Sequence, residues 1–463
     1  MPRQFTTAQS RRAFLKRSSA LAALGITTSL TPDLAFGQAK SDLSGVTIDY
    51  WNMIGIQNPI IRKISEDIIA AFEQKTGCTV NVTWNGYGDI IGPKYRTNFT
   101  GGIKPTVFDT SSRWVNQLRE FLYPFNDLVY GDWDEETRAG VEWMFPLNEE
   151  ENRGFPDKDQ IYGLPFNFVM QAPYLIRRDH VEKAGLDFDE HYPIRDTDHY
   201  IELCKEIQAK AGVPYPTEVY GAIWDFGDTQ LNGWIRSLSI EDSDFLNADW
   251  TKSNARSDAW KQGCQFYVDV FRKHNLSSPN TPQSTDEDTV DQFIAGRKSI
   301  VHCDILNQGT LLERIPEQMA DGTVVWGPHF PITGGTSGSQ CFIGPNSFYL
   351  VNDEGPDAEI KRLAAWEFVK EWYLPENMIA IAKSTGLCAR RDLWDQLKGA
   401  PDRSIEASIE TIGDNPGMWT AHPRAVDFQY NLLAPHGQRM LQGEPVADEL
   451  EAYADEVDKV LAG

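Results

Sequence analysis

Three short runs of residues carry the chemistry that this sequence makes legible. Trp51-Asn52 closes one apolar, alternating stretch, Trp84 to Tyr87 follows a second, and Asp109-Thr110-Ser111-Ser112-Arg113 closes a third. The runs set aromatic rings beside short polar groups. Rings stack on the apolar C–H face of a polyhydroxylated ligand, and polar groups fix its hydroxyls. Trp51, Asn52, Tyr87, Asp109, Thr110, Ser112 and Arg113 are therefore candidate contacts. Core packing is the competing role for any one tryptophan, and Trp51 is better placed than most because it ends its stretch. Covalent, metal and cofactor chemistry have no comparable signal. There is no CxxC, no HExxH and no Cys/His cluster with zinc spacing. No Gly-x-Ser-x-Gly elbow is present, and the glycine-rich run around Gly334-Gly335 lacks the Lys-Ser/Thr ending of a phosphate loop. No cofactor is expected. A carboxylate pair for glycoside hydrolysis stays open, because 67 Asp and Glu make chance pairs inevitable.

The elements that position these runs are readable around them. Val46 to Trp51 reads as a strand and Met53 to Asn58 as a loop. Asn58-Pro59 supplies a helix cap followed by proline at the first helical position. Ile60, Ile61, Ile64, Ile68 and Phe72 recur at helical spacing, and Gly77 ends the helix. Thr79 to Trp84 is a second strand and Thr106 to Asp109 a third. The β-α-β-α-β order predicts a mostly parallel sheet with helices on both faces. Ligands of such sheets sit at the carboxyl ends of the strands, where the three runs fall.

The whole chain sets the class. Its 463 residues are 41% hydrophobic and 11% aromatic, a composition that folds. The formal charge of −24 opposes binding to nucleic acid, which needs Lys and Arg against its phosphates. It favours solubility, or a cationic ligand. Residues 10–17 read Ser-Arg-Arg-Ala-Phe-Leu-Lys-Arg, an apolar stretch follows from Leu21 to Leu30, and Ala35, Gly37 and Ala39 come after it. That is export-signal grammar, and the Arg11-Arg12 pair resembles the twin-arginine signal. The apolar stretch is too short to span a bilayer, and no Cys sits at the expected cleavage point after Gly37 or Ala39. A soluble periplasmic protein without a lipid anchor is expected, with residues 1–39 as signal. The six cysteines are far apart, and folding before export favours buried free thiols over disulfides.

Further segments carry a resemblance. Ile161-Tyr162-Gly163-Leu164-Pro165-Phe166, Tyr174-Leu175-Ile176-Arg177-Arg178-Asp179 and Phe293-Ile294-Ala295-Gly296-Arg297-Lys298 stand in order. So do Ala364 to Val369, Ser384-Thr385-Gly386 and Gly443-Glu444-Pro445. Together with Tyr50-Trp51-Asn52 and Phe72 to Gly77, they resemble the extracellular solute-binding proteins of ABC importers, the maltose-binding and glycerol-phosphate-binding type. The pattern departs at Leu387-Cys388 and at Asp109, where relatives have Leu-Pro and a stacking Trp. The resemblance implies the α/β fold of the periplasmic binding protein-like II class, two lobes hinged about a ligand cleft. Lobe one would be 44–171 plus 345–388, and lobe two 172–344 plus 389–463. A monomer that docks on importer membrane subunits is implied.

From lobe two, the resemblance brings Trp224, Asp225 and Phe226 to the cleft, with Trp234 a weaker candidate. Asp304 is preferred over His302. Phe428 and Tyr430 lie where an aromatic can close over the ligand, and Arg390 could face an anionic group. Phe166 and Asn346 complete the candidate set. The function expected is capture of a small polar ligand, a sugar or sugar derivative, by hinge closure. A polyamine or a sugar acid or phosphate is the alternative, and a periplasmic carbohydrate-active enzyme the competing class.

Overall fold

The computed structural model describes residues 43–463 apart from 87–88, 90–92, 171–172, 223–225, 227–230, 337–341, 414–415 and 419–420. The export segment thus lies outside the described residues. Strand β1 (Thr47–Asn52) runs into a helical turn, Ile54–Gln57, and then into the helix Pro59–Thr76. Asn58 caps that helix through its Oδ1, which accepts from the Ile60 and Ile61 amides. Gly77 ends it at φ 73°, a left-handed conformation that glycine adopts without strain. β2 (Thr79–Trp84) pairs parallel to β1 from Thr47↔Thr79 to Asn52↔Trp84, and β3 (Val107–Ser111) pairs parallel on the other side. The three runs singled out above therefore reach the same edge of one sheet. The expected loop after β1 contains a turn of helix, because Asp109 accepts from the Met53 and Ile54 amides and holds the first turn closed.

β4 (Leu122–Tyr123), β5 (Gly163–Met170), β9 (Phe342–Val351) and β10 (Gly417–Met418) complete this sheet. β9 runs antiparallel to both β3 and β5. Its register with β5 slips between Pro165 and Asn167, where proline has no N–H to give the ladder. A second sheet has β6 (Tyr174–Arg177) between β7 (Ile300–His302) and β8 (Val324–Gly327), antiparallel to each. The chain passes from the first sheet to the second between Met170 and Tyr174, and returns between Gly327 and Phe342. These crossings join two α/β lobes.

Strand alternation divides the cores. Tyr174, Ile176, Ile300 and Val325 face a cluster with Trp234, Trp260, Tyr267 and Leu450 from the helices Leu231–Leu238, Asp258–Arg272 and Val446–Ala462. Leu175, Val301, Val324 and Trp326 face the opposite way. They join a cluster that continues through Ile305 and Leu311 to Tyr50, Phe72, Phe348 and Trp372 of the first lobe. One continuous apolar core thus passes through the hinge side of the molecule. The described cysteines Cys78, Cys204, Cys264, Cys303 and Cys388 are free and buried, the expected state. No described helix is long and apolar enough to cross a membrane.

Candidate functional site

The first lobe's edge is a framework of short polar groups. Asp109 is fully buried. Its carboxylate accepts from the Tyr50 hydroxyl at 2.6 Å and from the Met53 and Ile54 amides at 3.1 Å. Burial pushes its pKa up to about 6, against the pull of these donors. Asn52 donates to the Tyr50 hydroxyl at 2.6 Å and accepts from the Gly55 amide at 2.8 Å. Both side chains are thus committed to the ends of β1 and β3, so they shape the edge from within. A Cβ on Gly55 would meet Trp84 at 2.4 Å, so the indole lies directly over that backbone. Trp51 is half-buried, tilted against Tyr95 at 5.0 Å and edge-on to Phe99 at 5.9 Å. Thr110 is buried against the Met53 sulfur.

Beyond β3, Ser112 donates to Glu151 Oε1 at 2.6 Å. Burial raises the Glu151 carboxyl to about 8, with Asp244 of the second lobe adding to the rise; Ser112, Arg113 and Arg119 offset part of it. Glu151 is therefore neutral at pH 7. It belongs to the Glu149-Glu150-Glu151 run, which reads as a solvated face, so only its partner Ser112 was legible. A cavity of about 20 Å³ beside it is lined by Ser112, Asn116, Arg119 and Tyr349, room for one water. Arg113 donates through Nη1 to Gln429 Oε1 at 2.9 Å and lies 4.7 Å over the ring of Trp114. Trp114 in turn meets Tyr430 at 5.4 Å. The structure thus sets Arg113 and Trp114, next to Ser112, against Gln429 and Tyr430, and Tyr430 packs in one cluster with Trp114. Gln429 was not expected, being an ordinary polar residue 316 positions from its partner.

The second lobe contributes Asp304 at the end of β7. It is half-buried, and its Oδ1 accepts from the Leu306 amide at 3.0 Å. With Asp286, Glu287, Asp291 and Asn307 it lines a cavity of about 290 Å³. His302 is buried against Trp234 and Phe330, each at 5.1 Å, and burial holds it well below its usual pKa, hence neutral. That is a core histidine.

Other candidates have different surroundings. Phe166 is fully buried, 4.8 Å from Phe348 and 5.5 Å from Trp372, and its role there is packing. Arg390 forks onto Asp392 and donates to the Tyr373 carbonyl, inside the first lobe. Trp234 and Phe226 belong to the second core, as does Phe428. Asn346 is fully buried in β9, opposite Ser111 of β3 and Asn167 of β5. The amides of Asn167 and Asn346 have no hydrogen-bond partner among the described residues. Tyr87, Trp224 and Asp225 lie outside the described residues. Among the described residues no group of three or more His, Cys, Asp or Glu is placed to hold a metal.

Two hinged α/β lobes with polar and aromatic groups meeting at their edges define a solute-binding protein. Residues 58–379 match the family model for bacterial extracellular solute-binding proteins, and the chain belongs to that family. No curated protein sequence matches the chain. The fold is similar to an ABC transporter solute-binding protein of Thermotoga lettingae bound with α-D-tagatose. That likeness has a TM-score of 0.71 at 19% identity, over 90% of this chain and 100% of that one. The maltose-bound MalE3 of T. maritima superposes at 0.68 with 18% identity, over 90% and 100% of the two chains. The maltotriose-bound maltotriose-binding protein of Thermus thermophilus superposes at 0.65 with 16% identity, over 89% and 100%.

Proposed function

We propose that this chain is the periplasmic receptor of an ABC importer, exported by the twin-arginine route, and that it closes two lobes over a sugar without altering it. The observation that carries the reading is the hinged pair of lobes itself. It has the fold of proteins bound to tagatose, maltose and maltotriose. Trp51, half-buried at the end of β1, and Ser112 and Arg113, just beyond the end of β3, offer the rings and polar groups that a sugar needs. Closure then follows from the ligand's greater affinity for the closed state. Thermal melting of the mature chain against tagatose, maltose, maltotriose and spermidine tests it. A sugar at 100 times its dissociation constant adds about 2.7 kcal/mol, which for a chain of this length raises the melting temperature by roughly 3 °C. No rise with any sugar and a rise with spermidine would favour the second reading, a cationic amine. The acid-lined cavity of about 290 Å³ at Asp304 and the charge of −24 are the observations behind that reading.

A further inference from the structure

The lobes also meet at their rim, away from the crossing strands. In the first lobe, the segment after the helix Phe145–Glu151 carries Arg153, Gly154 and Phe155. Facing it is the loop between the helices Leu231–Leu238 and Asp258–Arg272 of the second lobe. Arg153 reaches across this gap with three donations. Its Nη2 donates to Asp244 Oδ2 at 3.1 Å and to the Asn247 carbonyl at 3.3 Å, and its Nε donates to the Ala248 carbonyl at 3.0 Å. Phe155 meets Trp250 edge-on at 5.6 Å. Gly154 lies flat under the same indole, so close that a Cβ there would sit 2.1 Å from it.

Each half is braced in its own lobe. Phe155 is held by the Arg119 guanidinium, 4.2 Å over its ring. The facing loop is tied to the C-terminal helix Val446–Ala462, where Arg256 binds Glu451, Asp455 and Asp458. Trp250 is itself strained, with φ at 56°, a region that a bulky side chain occupies only when its surroundings impose it. Strain, a charge-assisted fork and a glycine reserved for the approach of a ring converge on one contact.

We infer that Arg153, Gly154 and Trp250 form a clasp that sets the balance between open and closed lobes, and through it the affinity, without touching the ligand. Its use rests on the receptor reading; its existence does not. A receptor whose competent state is only partly populated binds more weakly in proportion. A clasp that favours closure in the empty protein thus strengthens binding.

The test is small-angle scattering and hydrogen exchange on the ligand-free mature chain. A compact chain of about this length has a radius of gyration of about 22 Å. Gly154→Ala, an exposed position where the nearest obstacle is the indole, and Arg153→Glu should each move it upward, by on the order of 1 Å as hinge opening does. Exchange at residues 244–250 should rise about tenfold or more, with the melting temperature close to that of the parent. Combining Arg153→Glu with Asp244→Arg re-forms the ion pair with its charges exchanged and should restore both readings. A merely structural lesion would not be rescued in this way. Unchanged scattering and exchange in both single variants, or no rescue in the double variant, would overturn the clasp. Failure of the receptor reading would show separately, as absence of ligand-induced stabilisation in the parent.

Discussion

Glu151 keeps its proton because burial removes the water that would solvate a carboxylate, and Asp244 opposes a second negative charge nearby. Its folded pKa of about 8 exceeds the ordinary 4.5. Between those values the native chain holds a proton that the unfolded chain has lost, so stability falls as pH rises across that window. Glu151→Gln retains an Oε1 for Ser112 and cannot titrate. Urea midpoints from pH 5 to 9 should therefore decline less in the variant, with a gap on the order of a few kcal/mol at pH 9. Parallel profiles would show that Glu151 is ionised in the fold. His302 acts in the opposite sense. Its folded pKa is depressed, so stability is lost as pH drops below about 6.5, where the unfolded histidine takes a proton. His199 and His422, each held at about 4, add to that acid-side loss. His302→Leu should flatten the profile between pH 6.5 and 5; an unaltered acid limb would mean that His302 is not buried neutral. The sequence made Ser112 and Arg113 legible because a strand end followed by short polar residues has a recognisable pattern. Glu151 and Gln429 were not, because burial of one acid among three, and a partner 316 residues away, leave no local trace.

At the scale of elements, local chemistry was the most readable. Asn58-Pro59, the helical spacing of isoleucines and Gly77 predict a helix whose observed span is Pro59–Thr76. Strands β1 to β3 fall within two residues of their expected bounds. The turn Ile54–Gln57 was missed, because its stability comes from Asp109, more than fifty residues on. Gly221-Ala222, just ahead of the candidates Trp224 to Phe226, carries no strand. Asn58 has a second duty that its cap role conceals. Its Nδ2 donates to the carbonyls of Leu306 in the second lobe and Ser384 in the first, each at 3.1 Å. Asn58→Ala should lower stability by roughly 2–4 kcal/mol, combining the cap with two buried acceptors left unmet. Asn58→Ser keeps an oxygen for the cap and loses the amide donor without adding a charge, so its smaller deficit reflects the lost ties. Equal losses in both variants, read from denaturant midpoints, would show that the cap contributes nothing.

At the scale of the molecule, family membership was legible because weak motifs recur in a fixed order along almost the whole chain. The meeting of distant segments was not, because Arg153 pairs with Asp244, and Arg113 with Gln429, across elements that no periodicity links. Export is testable apart from the fold. Arg11→Lys with Arg12→Lys should leave precursor in the cytoplasm, and normal periplasmic levels would exclude the twin-arginine route. The central claim, a sugar receptor that closes without chemistry, is tested most directly by calorimetric titration of the mature chain with tagatose, maltose and maltotriose, followed by recovery of the ligand. One site for at least one of these sugars, a negative heat-capacity change from buried apolar surface, and chemically unaltered sugar afterwards are expected. Absence of saturable heat with all three sugars, or recovery of a cleaved or modified one, would contradict it.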